Sequence, residues 1–223
     1  LVGELPDYEV DDTTVKKIIN GNAEQGTKNW GVFQNGSIAQ VEGGAKGTAH
    51  SIKFTPGTSK YGSIAFDLGP AIFKDAENGY NGGGAGVYKV SFYARADKPA
   101  KFSLIFNCQC HRSKDQLAKY GSLAQATYIS LGKSAELTTK WQKFEVEVEM
   151  TDSMYKLCQK LYAEGNSTAY QWLIRLDGSG KGMAYENISA TNPGVSYYMD
   201  EVTITKTYKK IPIGVKFTAK EDI

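Results

Sequence analysis

Proline is scarce in this chain, with six residues in 223. Cysteine is scarcer, at three. Cys108 and Cys110 stand one residue apart and Cys158 is remote, so one disulfide plus a thiol and three thiols both remain open, and the compartment is not fixed. Histidine occurs twice, at His50 and His111, beside no nucleophile motif, and Gly-x-Ser-x-Gly is absent. An excess of either charge is also missing. Lys plus Arg is 26 and Asp plus Glu is 24, a net charge of +2 that argues against a strong nucleic-acid footprint. No apolar run approaches the ~20 residues that a membrane helix requires.

Glycine (24) and tyrosine (14, against nine Phe and three Trp) are plentiful. This balance suits short strands joined by Gly-rich turns better than a helical bundle. Ile52 and Phe54 alternate toward one face, as do Ile64, Phe66 and Leu68 in residues 61–68. Residues 78–86 hold five glycines and read as a loop. That run precedes a strand and no helix, so it lacks the setting of a phosphate loop.

Residues 87–95 form a strong strand with Tyr88, Val90, Phe92 and Ala94 inward, and residues 102–107 follow as another. Residues 108–125 are polar and irregular, and residues 126–131 make a short strand. Residues 141–150 alternate most cleanly, with Phe144, Val146, Val148 and Met150 inward and Glu145, Glu147 and Glu149 outward. Met154, Leu157, Cys158, Leu161 and Tyr162 recur at helical spacing, which predicts one amphipathic helix closed by Gly165. Strands resume at residues 170–177, with Trp172, Ile174 and Leu176 inward, and at 197–206. Trp30, Trp141 and Trp172 pattern as core. About nine strands recur without intervening helices, so the expected fold is all-β: an antiparallel two-sheet sandwich with one short inserted helix. Residues 1–17 read as a linker or extended lead-in, 18–206 as the sandwich, and 207–223 as a C-terminal tail or an added edge strand.

Five segments in series resemble the jelly-roll carbohydrate-binding modules of the related families 4, 9, 16 and 22, most of all the xylan-binding family 22. Asn20-Gly-Asn-Ala-Glu24, with Gly26 and Trp30, is similar to their opening strand. Ala49-His-Ser-Ile-Lys-Phe54, Gly86-Val-Tyr-Lys-Val-Ser-Phe-Tyr-Ala-Arg95 and Leu137-Thr-Thr-Lys-Trp-Gln-Lys-Phe144 match internal strands. Tyr198-Met-Asp200-Glu-Val202 matches the closing strand. Ala23 stands where the family usually has Phe, and Glu201 where it has a second Asp.

The resemblance implies a structural calcium joining the first and last strands. Glu24 and Asp200 fall at the family's carboxylate positions, with backbone oxygens near Gly21, Asn22 and the Lys46-Gly47 turn as supplements. Two carboxylates on adjacent strand ends repel unless a cation bridges them. The resemblance also implies a concave sheet built from residues 61–68, 102–107, 126–131 and 170–177. Its outward side chains include Tyr61, Asp67, Asn107, Tyr128, Gln171, Arg175 and Asp177. Tyr61 stands where the related modules carry a stacking Trp. A flat ring against sugar C–H bonds, with amides, carboxylates and guanidinium on the hydroxyls, is what a polyhydroxylated chain needs. Phe33 and Gln34 lie where the family sometimes adds a cleft residue.

The implied function is non-catalytic binding of a plant β-glycan, xylan or β-glucan, by a monomeric module. The module would target a covalently linked glycoside hydrolase in a secreted or cell-surface bacterial protein, with no nucleic-acid or membrane partner. The alternative is an adhesion or protein-interaction sandwich of a bacterial surface protein. Catalysis by the Glu145–Glu147–Glu149 row has little behind it: any strand of alternating Glu spaces carboxylates ~6.5–7 Å apart, and exposed ones lack the burial that raises an acid's pKa. Cys108-Gln-Cys110-His111 has the wrong spacing for a zinc knuckle. A disulfide from Cys108 or Cys110 to Cys158 would tie two long loops.

Overall fold

A computed structural model describes residues 13–15, 18–58, 62–78, 80–108, 113–120, 128–177 and 194–207. Thirteen strands are β1 (Thr13–Val15), β2 (Trp30–Phe33), β3 (Ser37–Glu42), β4 (His50–Thr55), β5 (Ser63–Asp67), β6 (Lys74–Asp75), β7 (Tyr80–Asn81), β8 (Gly86–Ala96), β9 (Ala100–Cys108), β10 (Tyr128–Leu137), β11 (Gln142–Met150), β12 (Trp172–Asp177) and β13 (Tyr197–Thr207). The helices are α1 (Gly69–Ile72), α2 (Lys114–Tyr120) and α3 (Asp152–Ala163).

One sheet runs β11-β8-β13-β4-β3, with β1 also on β13; the other runs β10-β9-β12-β5-β2. Every pairing among the described residues is antiparallel. The fold class is therefore the expected β-sandwich. The alternating side chains meet between the sheets: Ile52, Phe54, Ile64, Phe66, Tyr88, Val90, Phe92, Val146, Val148, Trp172, Ile174 and Leu176 share one buried core. Burial of this apolar surface is the main driving force for closing the two sheets. The lead-in contributes β1, which pairs with the C-terminal half of β13.

The expected helix is α3. The Thr151 Oγ1 accepts the Met154 N–H at 3.2 Å and caps it. Its apolar side clamps the sandwich through a column of rings: Tyr162 stacks on Tyr170, Tyr170 on Phe73, and Phe73 on Tyr155.

Four details differ from the sequence reading. Lys114–Tyr120, expected to be irregular, is the helix α2. It buries no side chain, so no apolar periodicity betrayed it. Tyr80–Asn81, inside the Gly-rich stretch, pairs with Lys74–Asp75. Trp141 is only half-buried, because it has the outward parity of Lys143 and Glu145 rather than that of Phe144. Cys108 and Cys158 are both buried and are not bridged to each other. The Cys108 thiol faces the Ala169 carbonyl. Cys110, His111 and residues 208–223 lie outside the described residues.

Candidate functional site

The four segments expected to form one concave sheet are all in the second sheet, as β5, β9, β10 and β12, and β2 adds its edge. Register lines their outward residues up in rows. Asp67 is opposite Leu173, Leu173 opposite Asn107, and Asn107 opposite Tyr128. In the next row Gly31, Ala65, Arg175, Ile105 and Ser130 follow one another across five strands. Asp177 sits opposite Ser103 in the third.

The parity is as expected, but the exposure is not. Asn107 and Arg175 are each 1% exposed and Asp177 8%. They form the buried part of this wall, not a water-facing one. The Arg175 guanidinium donates to Ser63 Oγ at 3.3 Å, lies 3.9 Å from the Asp177 carboxylate, and covers the Phe33 ring at 3.6 Å. A guanidinium in such a place is kept by its partners, since an unpaired buried charge is costly. Tyr61 lies outside the described residues, as does the side chain of Tyr128.

The open part of the wall is displaced to the β2 edge. A groove of about 620 Å³ is lined by Asn29, Trp30, Gly31, Val32, Phe33, Gln34, Ala65, Asp67, Gln171 and Leu173. Its floor exists because two small residues face each other across β2 and β5, Gly31 and Ala65. A side chain built at Gly31 would meet only the Ala65 carbonyl oxygen, 4.0 Å away. Phe33, Ala65 and Leu173 form a small apolar cluster separate from the main core. Gln34, at φ +62°, and Gln171 are exposed at the rim.

Asp67 is the chemically distinctive group. Its Oδ1 accepts the Gly69 N–H at 2.8 Å and the Trp172 N–H at 3.2 Å. Its Oδ2 has no hydrogen-bond donor among the described residues. Burial pushes its pKa up to about 6, outweighing the two amide donors. The backbone carbonyl of Asp67 accepts from Asn29 Nδ2 at 3.1 Å, which ties the β2 entry to this strand. The groove thus presents apolar faces, two amide side chains at its rim and one fixed carboxylate. Of the seven expected sugar contacts, Asp67 and Gln171 line it; Phe33 and Gln34 join them. Gly31, Ala65 and Asn29 were missed, because small residues and a turn amide carry no signal until register places them.

The six residues expected around calcium cluster by a different logic. β13 carries a bulge between Asp200 and Thr203, with Glu201 at φ +52°. Asp200 is fully buried. Its Oδ2 accepts from Ala45 N (2.8 Å) and Thr48 Oγ1 (2.7 Å), and its Oδ1 from Glu201 N (2.7 Å). The Lys46-Gly47 turn is thereby folded onto the bulge, and the Lys46 ammonium lies 3.9 Å from Glu201. Gly21 joins the same bulge, its carbonyl accepting the Val202 N–H at 2.9 Å. Asn22 is exposed beside it. Burial raises the Asp200 pKa against those donors. Glu24 accepts from the His50 N–H at 3.0 Å and lies 2.6 Å from its ring Nδ1, and the ring hydrogen bond first of all lowers its pKa. The donor set is of hard oxygens, the type calcium takes. Among the described residues no three His, Cys, Asp or Glu side chains gather as a metal cluster.

The Glu145, Glu147 and Glu149 row faces outward from the first sheet, and Glu145 is ion-paired with Lys89 and Lys143.

No family model and no curated protein sequence matches the chain. Solved structures do. The CBM22-1 xylan-binding domain from Paenibacillus barcinonensis Xyn10C superposes with a TM-score of 0.54 at 15% identity, covering 85% of this chain and 93% of that one. The CBM22-2 xylan-binding domain of the same protein gives 0.56 at 16%, covering 84% and 98%. The Clostridium thermocellum xylanase 10B fragment carrying CBM22-1 and GH10 modules, complexed with xylohexaose, gives 0.51 at 12%, covering 95% of this chain and 30% of that one. The chain shares the fold of these family 22 modules.

Proposed function

We propose that this chain is a non-catalytic carbohydrate-binding module whose ligand, xylan or a β-glucan, lies in the groove at the β2 edge. The observation that carries this reading is the groove's mixed lining. Phe33, Leu173 and the Gly31–Ala65 floor offer apolar surface to sugar C–H faces, while Asp67 Oδ2, Gln34 and Gln171 offer hydrogen bonds to hydroxyls. The resemblance implies Tyr61, outside the described residues, as the stacking ring. The fold shared with xylan-binding domains supports the ligand class. The module serves an attached glycoside hydrolase by raising its local concentration on substrate, in a secreted or cell-surface protein. The hydrolase module beside CBM22-1 in the Clostridium structure is consistent with that arrangement.

A calcium ion belongs to the same proposal. Asp200 and Glu24 would hold it, with carbonyl oxygens of Gly21, Asn22 and the Lys46-Gly47 turn. It would supply a charge bridge between the first turns and the last strand, and so stability rather than recognition.

Affinity electrophoresis through xylan, β-glucan, mannan and xyloglucan gels tests the ligand. Retardation on at least one β-glycan, with no reducing ends released, is expected. Normal migration on all four transfers the groove to a protein partner, and release of reducing ends makes the chain an enzyme.

A further inference from the structure

The outer face of the first sheet carries an arrangement that neither the groove nor the calcium cluster uses. Register places Arg95 of β8 opposite Tyr198 of β13, and Tyr198 opposite Lys53 of β4. The Arg95 guanidinium lies over the Tyr198 ring at 3.8 Å and 5.2 Å from the centre of the Trp141 ring. The Lys53 ammonium, from the other neighbouring strand, stands 5.5 Å from the centre of the Tyr198 ring. Tyr198 is pinned by its hydroxyl, which donates to Asp97 at 3.0 Å. The neighbouring cations of this face are spoken for: Lys143 and Lys89 by Glu145, and Lys46 by Glu201. Among the described residues Arg95 and Lys53 have no carboxylate partner.

A guanidinium lying on a ring keeps its N–H edge for an acceptor, and its rotamers are already restricted. That edge matches a carboxylate in bidentate fashion, and the match is stronger than a neutral hydrogen bond. Trp141, half-buried and beside it, is a ring of the kind that takes an apolar sugar face. Single phosphates would use the cations alone and leave the indole idle.

We propose that Arg95, Lys53 and Trp141 form a second site, on the face opposite the groove, for a uronic acid residue of an acidic polysaccharide. The guanidinium takes the carboxylate, Lys53 adds charge, and the indole packs against the sugar ring. The site is independent of the groove and of what the groove binds.

Affinity electrophoresis through polygalacturonate tests it, with the carboxyl-reduced polymer as the neutral control. The intact chain should be retarded by the first gel and not by the second. Arg95→Gln should weaken retardation about tenfold, and Arg95→Lys should fail to restore it, because an ammonium cannot present the planar fork. Trp141→Ala, which removes a ring outside the core, should weaken it as well and guards against a folding defect in the Arg95 variants. Gly31→Leu, which fills the groove, should leave it unchanged, so failure of the groove and failure of this site are told apart. Normal migration in polygalacturonate overturns the proposal. So does undiminished retardation of Arg95→Gln, or equal retardation by single-stranded DNA, which would reduce the pair to a non-selective cationic patch.

Discussion

The Arg175 guanidinium lies 3.6 Å from the centre of the Phe33 ring; Arg175 is 1% exposed and Phe33 9%. This contact is the boundary between two halves of one wall. On one side Arg175, Asp177 and Asn107 are sealed; on the other, Phe33 belongs to the lining of the groove. A residue chosen as a ligand contact thus acts as the support of the ring that borders the open site.

Arg175→Ala should therefore act on stability before it acts on binding. It strips the Asp177 carboxylate of its neighbour at 3.9 Å and the Phe33 ring of its cover. Breaking a buried charge pair on one side costs about 3–5 kcal/mol. Urea unfolding should show the midpoint fall with little change in slope; an unchanged midpoint would mean that the pair contributes nothing.

Gly31→Leu separates the groove from the fold. Gly31 has room for a side chain, and that side chain would occupy the groove floor opposite Ala65. Thermal melting should stay within a few degrees of the parent, while retardation on the glycan gel should disappear. Persistent binding would place the ligand elsewhere on the molecule.

Asp67 sets a pH dependence. Its folded pKa, about 6, lies above the unfolded value of about 3.9. The folded state binds the extra proton between these values, so stability from this group is full below pH 4 and declines as pH rises through 6. The difference is on the order of 1–3 kcal/mol. Asp67→Asn retains an oxygen for Gly69 and Trp172, so it should flatten stability between pH 4 and 7 and leave the variant no weaker than the parent at pH 7. If the parent already shows a flat profile over that range, the carboxyl is not held as described. Above pH 6 the same substitution should weaken glycan affinity about tenfold, since a hydrogen bond to a charged acceptor is lost.

Chelation tests the calcium proposal. EDTA should lower the melting temperature of the parent, added calcium should restore it, and glycan affinity at low temperature should hardly change. Asp200→Asn should melt at the same temperature with and without EDTA. A parent indifferent to EDTA leaves Asp200 as a purely structural acceptor for Ala45, Thr48 and Glu201.

Much of the sandwich was legible because one face of each strand is buried. Ile64, Phe66 and Leu68, or Val146, Val148 and Met150, must alternate if a strand is to cover a core, and the alternation is written in consecutive residues. The same parity put Asn107, Arg175 and Asp177 on the correct face. It could not say whether that face meets water, since exposure depends on what else packs there. Trp141 was misplaced for a related reason: a tryptophan attracts a core assignment, yet its position in the alternation is the outward one. Helix α2 escaped because an exposed helix has no apolar stripe to read.

The amino-acid order by itself determined which residues point inward and outward on each strand, because that follows from the two-residue period of an extended backbone. The tertiary structure alone decided where the outward face stays open. Gly31 meets Ala65, and Asp67 meets Leu173, only after β2, β5 and β12 are brought together across long stretches of chain. Strand register is a property of pairing between segments, and no single segment contains it.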